Sequence, residues 1–196
     1  MPTWTNETAD WYAENYGEYP TNRIGADAID FADGSTVIDV GCGTGAALRR
    51  LAATHPDLYL IGIDPVPRMV EIARQRLVEL QPSVRIDFRL GAAENIPLDD
   101  RVADVALAFD SFDHWRDRDL ALLEIRRVLR PGGRLAILKD AGAPGDAKSR
   151  LLLEQATSRA GFILLSQRRL AEDDVACLIW VFSSPSSAAS APLLSD

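Results

Sequence analysis

Short apolar runs alternate with helix-period stretches along most of the chain. Residues 8–31 read as two helical pieces broken near Gly17 and Pro20, with Trp11, Tyr12, Tyr16 and Tyr19 crowded into them. A β-branched run at 36–40 ends in a glycine cluster, and a helix at 46–53 stops ahead of His55-Pro56, because the residue before proline avoids the helical region. A buried strand follows at 58–63. The next stretch, 66–80, carries Val66, Met69, Val70, Ala73, Leu77 and Leu80 on one helical stripe. Strands are then expected at 84–90 and 103–109, and a helix at 118–129 broken by Pro131-Gly132-Gly133. A strand at 134–138 and a helix at 146–160 closed by Gly161 come next. Two strands, 162–170 and 175–183, are joined by the polar residues 171–174, which predicts an antiparallel hairpin.

Strands that are apolar on both faces and alternate with helices make a mostly parallel sheet covered by helices on both sides. The expected fold is therefore a single Rossmann-like α/β domain, with seven strands, an antiparallel last strand and helices on both faces. Residues 1–35 form an N-terminal helical lid segment, 36–183 the core, and 184–196 a tail without periodicity that is expected to be disordered. Composition agrees: of 196 residues, 47% are hydrophobic and 26% charged, as in ordinary globular proteins. A net charge of −8 repels phosphate backbones and anionic lipid, so nucleic acid and membrane surfaces are not expected partners. Cys42 and Cys177 are too few for a disulfide framework and too isolated for a zinc site, so no metal is expected. The N-terminus has no signal-peptide pattern and no apolar run is membrane-length, which predicts a soluble, cytoplasmic protein.

The sharpest motif is Val-Ile-Asp-Val-Gly-Cys-Gly-Thr-Gly at 37–45, where a strand gives way to a helix. Gly41, Gly43 and Gly45 let a ligand lie against the backbone, beside Cys42 and the free N–H groups of the helix start. Asp64 ends the following strand, where a carboxylate can accept from both hydroxyls of a ribose. The glycine spacing is G-x-G-x-G rather than the G-x-G-x-x-G of dinucleotide sites, and Asp39 lies close to the loop. A pyrophosphate would avoid that carboxylate, whereas an ammonium group would be drawn to it. A ligand with adenine, ribose and an amino-acid end fits best, and that ligand is S-adenosyl-L-methionine.

With GIDP at 62–65, GAAENIPL at 91–98, DVALAFDSFDHWRD at 104–117 and LRPGGRLAIL at 129–138, the chain resembles the class I S-adenosylmethionine-dependent methyltransferases. The subgroup it is most similar to is the small-molecule enzymes of ubiquinone and menaquinone biosynthesis. That resemblance implies that the 41–45 loop wraps the methionine part and Asp64 takes the ribose, while Pro65 and Met69 flank the adenine. It further implies that Ala93 and Glu94 hold the adenine edge and that Ala108 and Phe109 lie beside the methionine end. The family often has an acidic residue where this chain has Ala92, so adenine recognition here leans on backbone groups or Glu94.

Methyl transfer from a sulfonium is an in-line displacement that needs alignment more than acid–base help. If the acceptor must lose a proton, His114 is the expected catalytic residue, with Asp113 or Asp110 orienting it, because the segment follows the fourth strand at the sheet's carboxyl edge. The N-terminal aromatics are a candidate lid over a cofactor cation. The expected activity is methylation of a small-molecule acceptor at O, N or C, by a monomer or homodimer. Two alternatives stay open: a catalytically silent cofactor-binding module on the same fold, and a nicotinamide-dependent oxidoreductase.

Overall fold

The computed structural model describes residues 4–78, 86–141 and 146–186. Seven strands form one sheet in the order β3-β2-β1-β4-β5-β7-β6. They are β1 (Thr36–Val40), β2 (Tyr59–Asp64), β3 (Ile86–Leu90), β4 (Ala103–Phe109), β5 (Leu129–Asp140), β6 (Ile163–Glu172) and β7 (Val175–Ser183). Pairings from β3 through β5 are parallel, while β7 runs antiparallel to both β5 and β6. The α-helices among the described residues are α1 (Asn6–Asn15), α2 (Pro20–Asp27), α3 (Ala46–Thr54), α4 (Pro67–Val78), α5 (Arg118–Val128) and α6 (Asp146–Arg159).

The two faces of the sheet are covered by different helices. Ile24 of α2, Leu48 and Leu51 of α3, and Val70 and Ala73 of α4 pack with Val37, Val105 and Leu107 on one face. Leu122 and Ile125 of α5 and Leu153 and Ala156 of α6 pack with Ile38, Leu135, Ile137 and Trp180 on the other. Alternation along each buried strand thus feeds both layers, and this gives the runs their continuous apolar character. No helix among the described residues is long and apolar enough to cross a membrane.

The sequence expectations meet the fold with a few differences at the joints. The helix expected to run through Leu129 stops at Val128, and β5 begins at Leu129, which is extended (φ −72°, ψ 138°) and pairs with Ala103. Leu129 is buried in the core and is drawn into the sheet by its pairing with Ala103. The Pro131-Gly132-Gly133 turn is therefore an irregularity inside the strand, which resumes its register with Val105 opposite Arg134. The hairpin connection expected at 171–174 shrinks to Asp173 and Asp174, with Ala171 opposite Ala176 and Asp173 in a left-handed turn (φ 50°) that aspartate tolerates. The expected helical position of Leu80, the strand start at 84–85 and all of the tail from 187 onward lie outside the described residues.

Candidate functional site

The loop leaving β1 is built by its glycines. Gly41, Gly43 and Gly45 have φ of 81°, 51° and 78°, a region that side chains disfavour. The N–H groups of Gly41 and Cys42 both donate to the carbonyl of Ile63, at 2.7 and 3.0 Å, which pins the loop to the end of β2. A Cβ at Gly41 would strike Ser111, whose hydroxyl donates to Val40 O at 2.7 Å, and one at Gly45 would strike the Phe88 ring. These two glycines hold the protein's own packing. Gly43 differs, because a Cβ there would meet nothing within 4 Å. Gly43 also lines the cavity between the loop and the N-terminal helices. Helix α3 then starts at Ala46, with Gly45 as its N-cap and no side-chain cap for its first N–H groups.

Two buried carboxylates stand behind this loop. Asp64 accepts from the Gly43 N–H and the Val66 N–H, both at 2.9 Å. Burial pushes its carboxyl up to about 6, against the pull of those two N–H groups. Asp39 is pushed up to about 7, first by burial and then by the charge of Asp64. Its Oδ1 is buried with no hydrogen-bond partner. An orphaned carboxylate oxygen beside a glycine cradle suits a ligand that brings a cation or hydroxyls, so these residues fit S-adenosylmethionine better than a pyrophosphate. Burial and the same two carboxylates drive the Cys42 thiol well above its ordinary range, which keeps it an uncharged wall residue.

The N-terminal helices α1 and α2, expected from the sequence to act as a lid, are clamped onto this loop and onto α4. Thr44 Oγ1 donates to Gly17 O at 2.6 Å, and Arg76 Nη2 of α4 donates to Ala13 O at 2.9 Å. Glu18 pairs with both Arg49 and Arg76, and Asp10 with Arg68 at 2.7 Å. Tyr12 and Tyr16 meet at a tilt of 35° with ring centroids 5.5 Å apart, and Tyr16 and Tyr19 lie 6.2 Å apart. Lid, glycine loop and the ends of β4 and β5 enclose a cavity of about 320 Å³. Tyr12, Tyr16 and Tyr19 line it with Gly41, Cys42, Gly43, Phe109 and Asp110. Arg23, by contrast, is engaged with Glu172 away from this wall.

At the far wall the structure redistributes the roles expected for the acidic residues. His114 lines the cavity with an exposed ring, its backbone N–H donating to Ser111 O at 2.9 Å. Neither expected partner orients that ring. Asp110 sits at φ 51° and takes the Thr21 hydroxyl at 2.8 Å and the Asp140 N–H at 2.9 Å, joining lid to sheet. Burial raises its carboxyl above the ordinary range despite those bonds. Asp113 is held instead by Lys139 and by the Ser149 hydroxyl, the latter at 2.6 Å. Burial works to raise Asp113, but these two hydrogen bonds and the charges of Lys139 and Arg118 outweigh it and hold its carboxyl low.

The remaining expected contacts divide in the same way. Phe109 lines the cavity, whereas the Ala108 side chain is fully buried in the core opposite Ile137. Met69 is buried in the first turns of α4, Pro65 is exposed, and Ala93 is buried in the core. Glu94 Oε1 accepts from the N–H groups of Arg116 and Asp117, at 2.6 and 3.1 Å, so this oxygen braces the start of α5. Lys139, Ser149, Thr44 and Thr21 were not singled out by the sequence reasoning. A lysine closing an otherwise apolar strand at the carboxyl edge was the one available signal for Lys139.

Residues 38–137, from β1 into β5, match the methyltransferase-domain family. The chain belongs to that family. An O-methyltransferase of Penicillium expansum is 34% identical over 134 residues, 68% of this chain and 48% of the relative. An O-methyltransferase of Aspergillus nomiae is 36% identical over 127 residues, covering 63% and 56%. The chain thus spans about half the length of the curated relatives it matches. Among solved structures, an S-adenosylmethionine-dependent methyltransferase from Aquifex aeolicus superposes with a TM-score of 0.76 at 18% identity, over 93% of this chain and all of the other. The methyltransferase seen with the Trm112 activator of Haloferax volcanii gives 0.78 at 21%, over 94% and 99%. The methyltransferase domain also separates itself from dinucleotide oxidoreductases by topology: β7 is inserted antiparallel between β5 and β6, which are neighbours in the dinucleotide-binding order.

Proposed function

We propose that this chain transfers a methyl group from S-adenosylmethionine to an oxygen of a small molecule. The observation that carries the reading is the glycine loop with its unobstructed Gly43, lining a cavity shared with Tyr12, Tyr16 and Tyr19, together with the unpartnered oxygen of Asp39, buried two residues before that loop. The O-methyltransferases of Penicillium and Aspergillus support oxygen as the accepting atom. Bound there, the cofactor supplies a methyl group already activated on a sulfonium sulfur.

The chain's own residues supply position and dryness. The Gly41–Gly45 backbone and Asp64 take the cofactor's amino-acid and ribose parts, and Tyr12, Tyr16 and Tyr19 cover it from water. Phe109 and the turn after β4 set the direction from which an acceptor approaches. His114, on the wall and free of Asp110 and Asp113, takes the proton of an accepting hydroxyl; its position in the cavity lining supports that role. The cavity is small, so acceptor and cofactor share it only if the acceptor is compact or reaches in from the mouth.

Calorimetry with S-adenosylmethionine, S-adenosylhomocysteine and NADH is the first test, followed by transfer of a labelled methyl group to a panel of phenols, alcohols and amines. Micromolar binding of the first two, no binding of NADH and label in an oxygen acceptor are expected. Cofactor binding without transfer to any acceptor would favour a silent binding module, and tighter NADH binding would sink the reading.

A further inference from the structure

Lys139 has no task in the scheme above, yet it is built in with care. It stands on β5 at the carboxyl edge of the sheet and is 5% exposed. A buried ammonium is tolerated only when it is paired and hydrogen-bonded. Its Nζ donates to Asp113 Oδ2 and Ser149 Oγ, and Ser149 Oγ donates to Asp113 Oδ1 at 2.6 Å. The turn after β4, the end of β5 and the first turns of α6 thus each give one member of the cluster.

That arrangement fixes a normally mobile side chain in one place. An ammonium carries three donors, and among the described residues Asp113 and Ser149 take two. Lys139 also lines the cavity, where it is the only lysine or arginine among the described lining residues and shares the wall with His114 and the carboxyl groups of Asp110, Asp113 and Asp140. Those carboxyl groups oppose an anion in the cavity at large, so what favours the ionised form of an acidic oxygen is direct: a hydrogen bond from the ammonium donor that neither Asp113 nor Ser149 takes.

We propose that Lys139, held by Asp113 and Ser149, binds the accepting oxygen, and that the acceptor is a molecule with an acidic hydroxyl, a phenol or an enol, held as its anion. This rests on the methyl-transfer reading of the cavity and names its substrate class. Ionisation breaks the acceptor's O–H bond and leaves the electron pair on oxygen. The proton goes to the His114 ring in turnover, or to solvent when no transfer follows. Asp113 and Ser149 are positioning residues.

The test uses para-nitrophenol, whose anion is coloured, with the full chain saturated by S-adenosylhomocysteine so that no methyl group can move. The ionisation midpoint of the bound phenol is expected to fall by about one pH unit or more, a roughly tenfold preference for the anion. Lys139→Met should abolish that shift while S-adenosylhomocysteine affinity stays within about twofold. Asp113→Asn keeps an oxygen for the ammonium but removes a negative charge, so it should tighten binding of the anion about threefold. It decides the matter if Lys139→Met does not fold. Absence of para-nitrophenol binding, an unshifted midpoint in the parent protein, the same shift in Lys139→Met, or unchanged or weaker binding in Asp113→Asn overturns the proposal. Loss of S-adenosylhomocysteine binding by the parent protein is a different failure, one that sinks the methyl-transfer reading itself.

Discussion

At the scale of single residues, the three loop glycines differ in what a side chain would meet: Ser111 at Gly41, Phe88 at Gly45 and open space at Gly43. Gly43→Val places a side chain in open space on the ligand's side, so cofactor affinity should fall beyond detection. The positive φ should cost about 1–2 kcal/mol of stability, short of unfolding. Gly45→Val drives the same atoms into Phe88, so there the fold should fail first. Paired thermal melts and calorimetry check both, and undiminished cofactor binding in Gly43→Val would move the site off the loop. His114→Ala should leave cofactor affinity within about twofold while turnover drops about 10²–10⁴, the usual size of proton-transfer assistance. Unchanged turnover with an identified acceptor would leave His114 no proton-transfer role. The glycines and Asp64 were legible in the sequence because spacing between strand and helix encodes them. The partners of Asp110 and Asp113 were not, because Thr21 and Ser149 lie 89 and 36 positions away along the chain.

Among the elements, the parallel strands were the easiest to read, since burial on both faces leaves a run without alternation. The start of β5 was obscured: Leu129 sits on a helical stripe in the sequence, and only its pairing with Ala103 pulls it into the sheet. The lid's helices were legible, but its clamps were not, because Arg49, Arg68 and Arg76 look like ordinary solvated helix positions until α1 is laid on α4. Those ion pairs hold the N-terminal helices against α3 and α4; if these helices are the lid expected from the sequence, they must yield for the cofactor to pass. Arg76→Met removes the bonds to Ala13 O and Glu18. Partly exposed pairs are worth up to about 1 kcal/mol, so cofactor dissociation should speed up roughly two- to fivefold, with little change in melting temperature. Stopped-flow displacement of the cofactor measures this, and an unaltered rate would mean that the lid opens without breaking these contacts.

For the whole molecule, the buried pair behind the loop ties stability to pH. Asp39 titrates at about 7 and Asp64 at about 6 in the folded chain, both above the ordinary carboxyl value of 3.8. Through these two groups the folded state holds protons more tightly than the unfolded state does. Their contribution is therefore complete below the unfolded value and is lost as pH rises through 6 and then 7. Asp113 and Glu124 have lowered values, so they work in the opposite sense, but only in more acidic solution. Between about pH 8 and about pH 5.5 the buried pair dominates, and the cofactor-free protein should melt at higher temperature as the solution is acidified. Asp39→Asn carries no charge to bury, so it should flatten that trend and raise the melting temperature most at the alkaline end. Cofactor affinity should run the other way, weakening on acidification, because the ammonium and ribose hydroxyls of the ligand favour ionised carboxylates. Melts of the parent and Asp39→Asn chains across that range, with and without S-adenosylhomocysteine, measure both slopes. A parent melting temperature that stays level or falls on acidification would mean that water or loop motion already relieves Asp39 of its isolation.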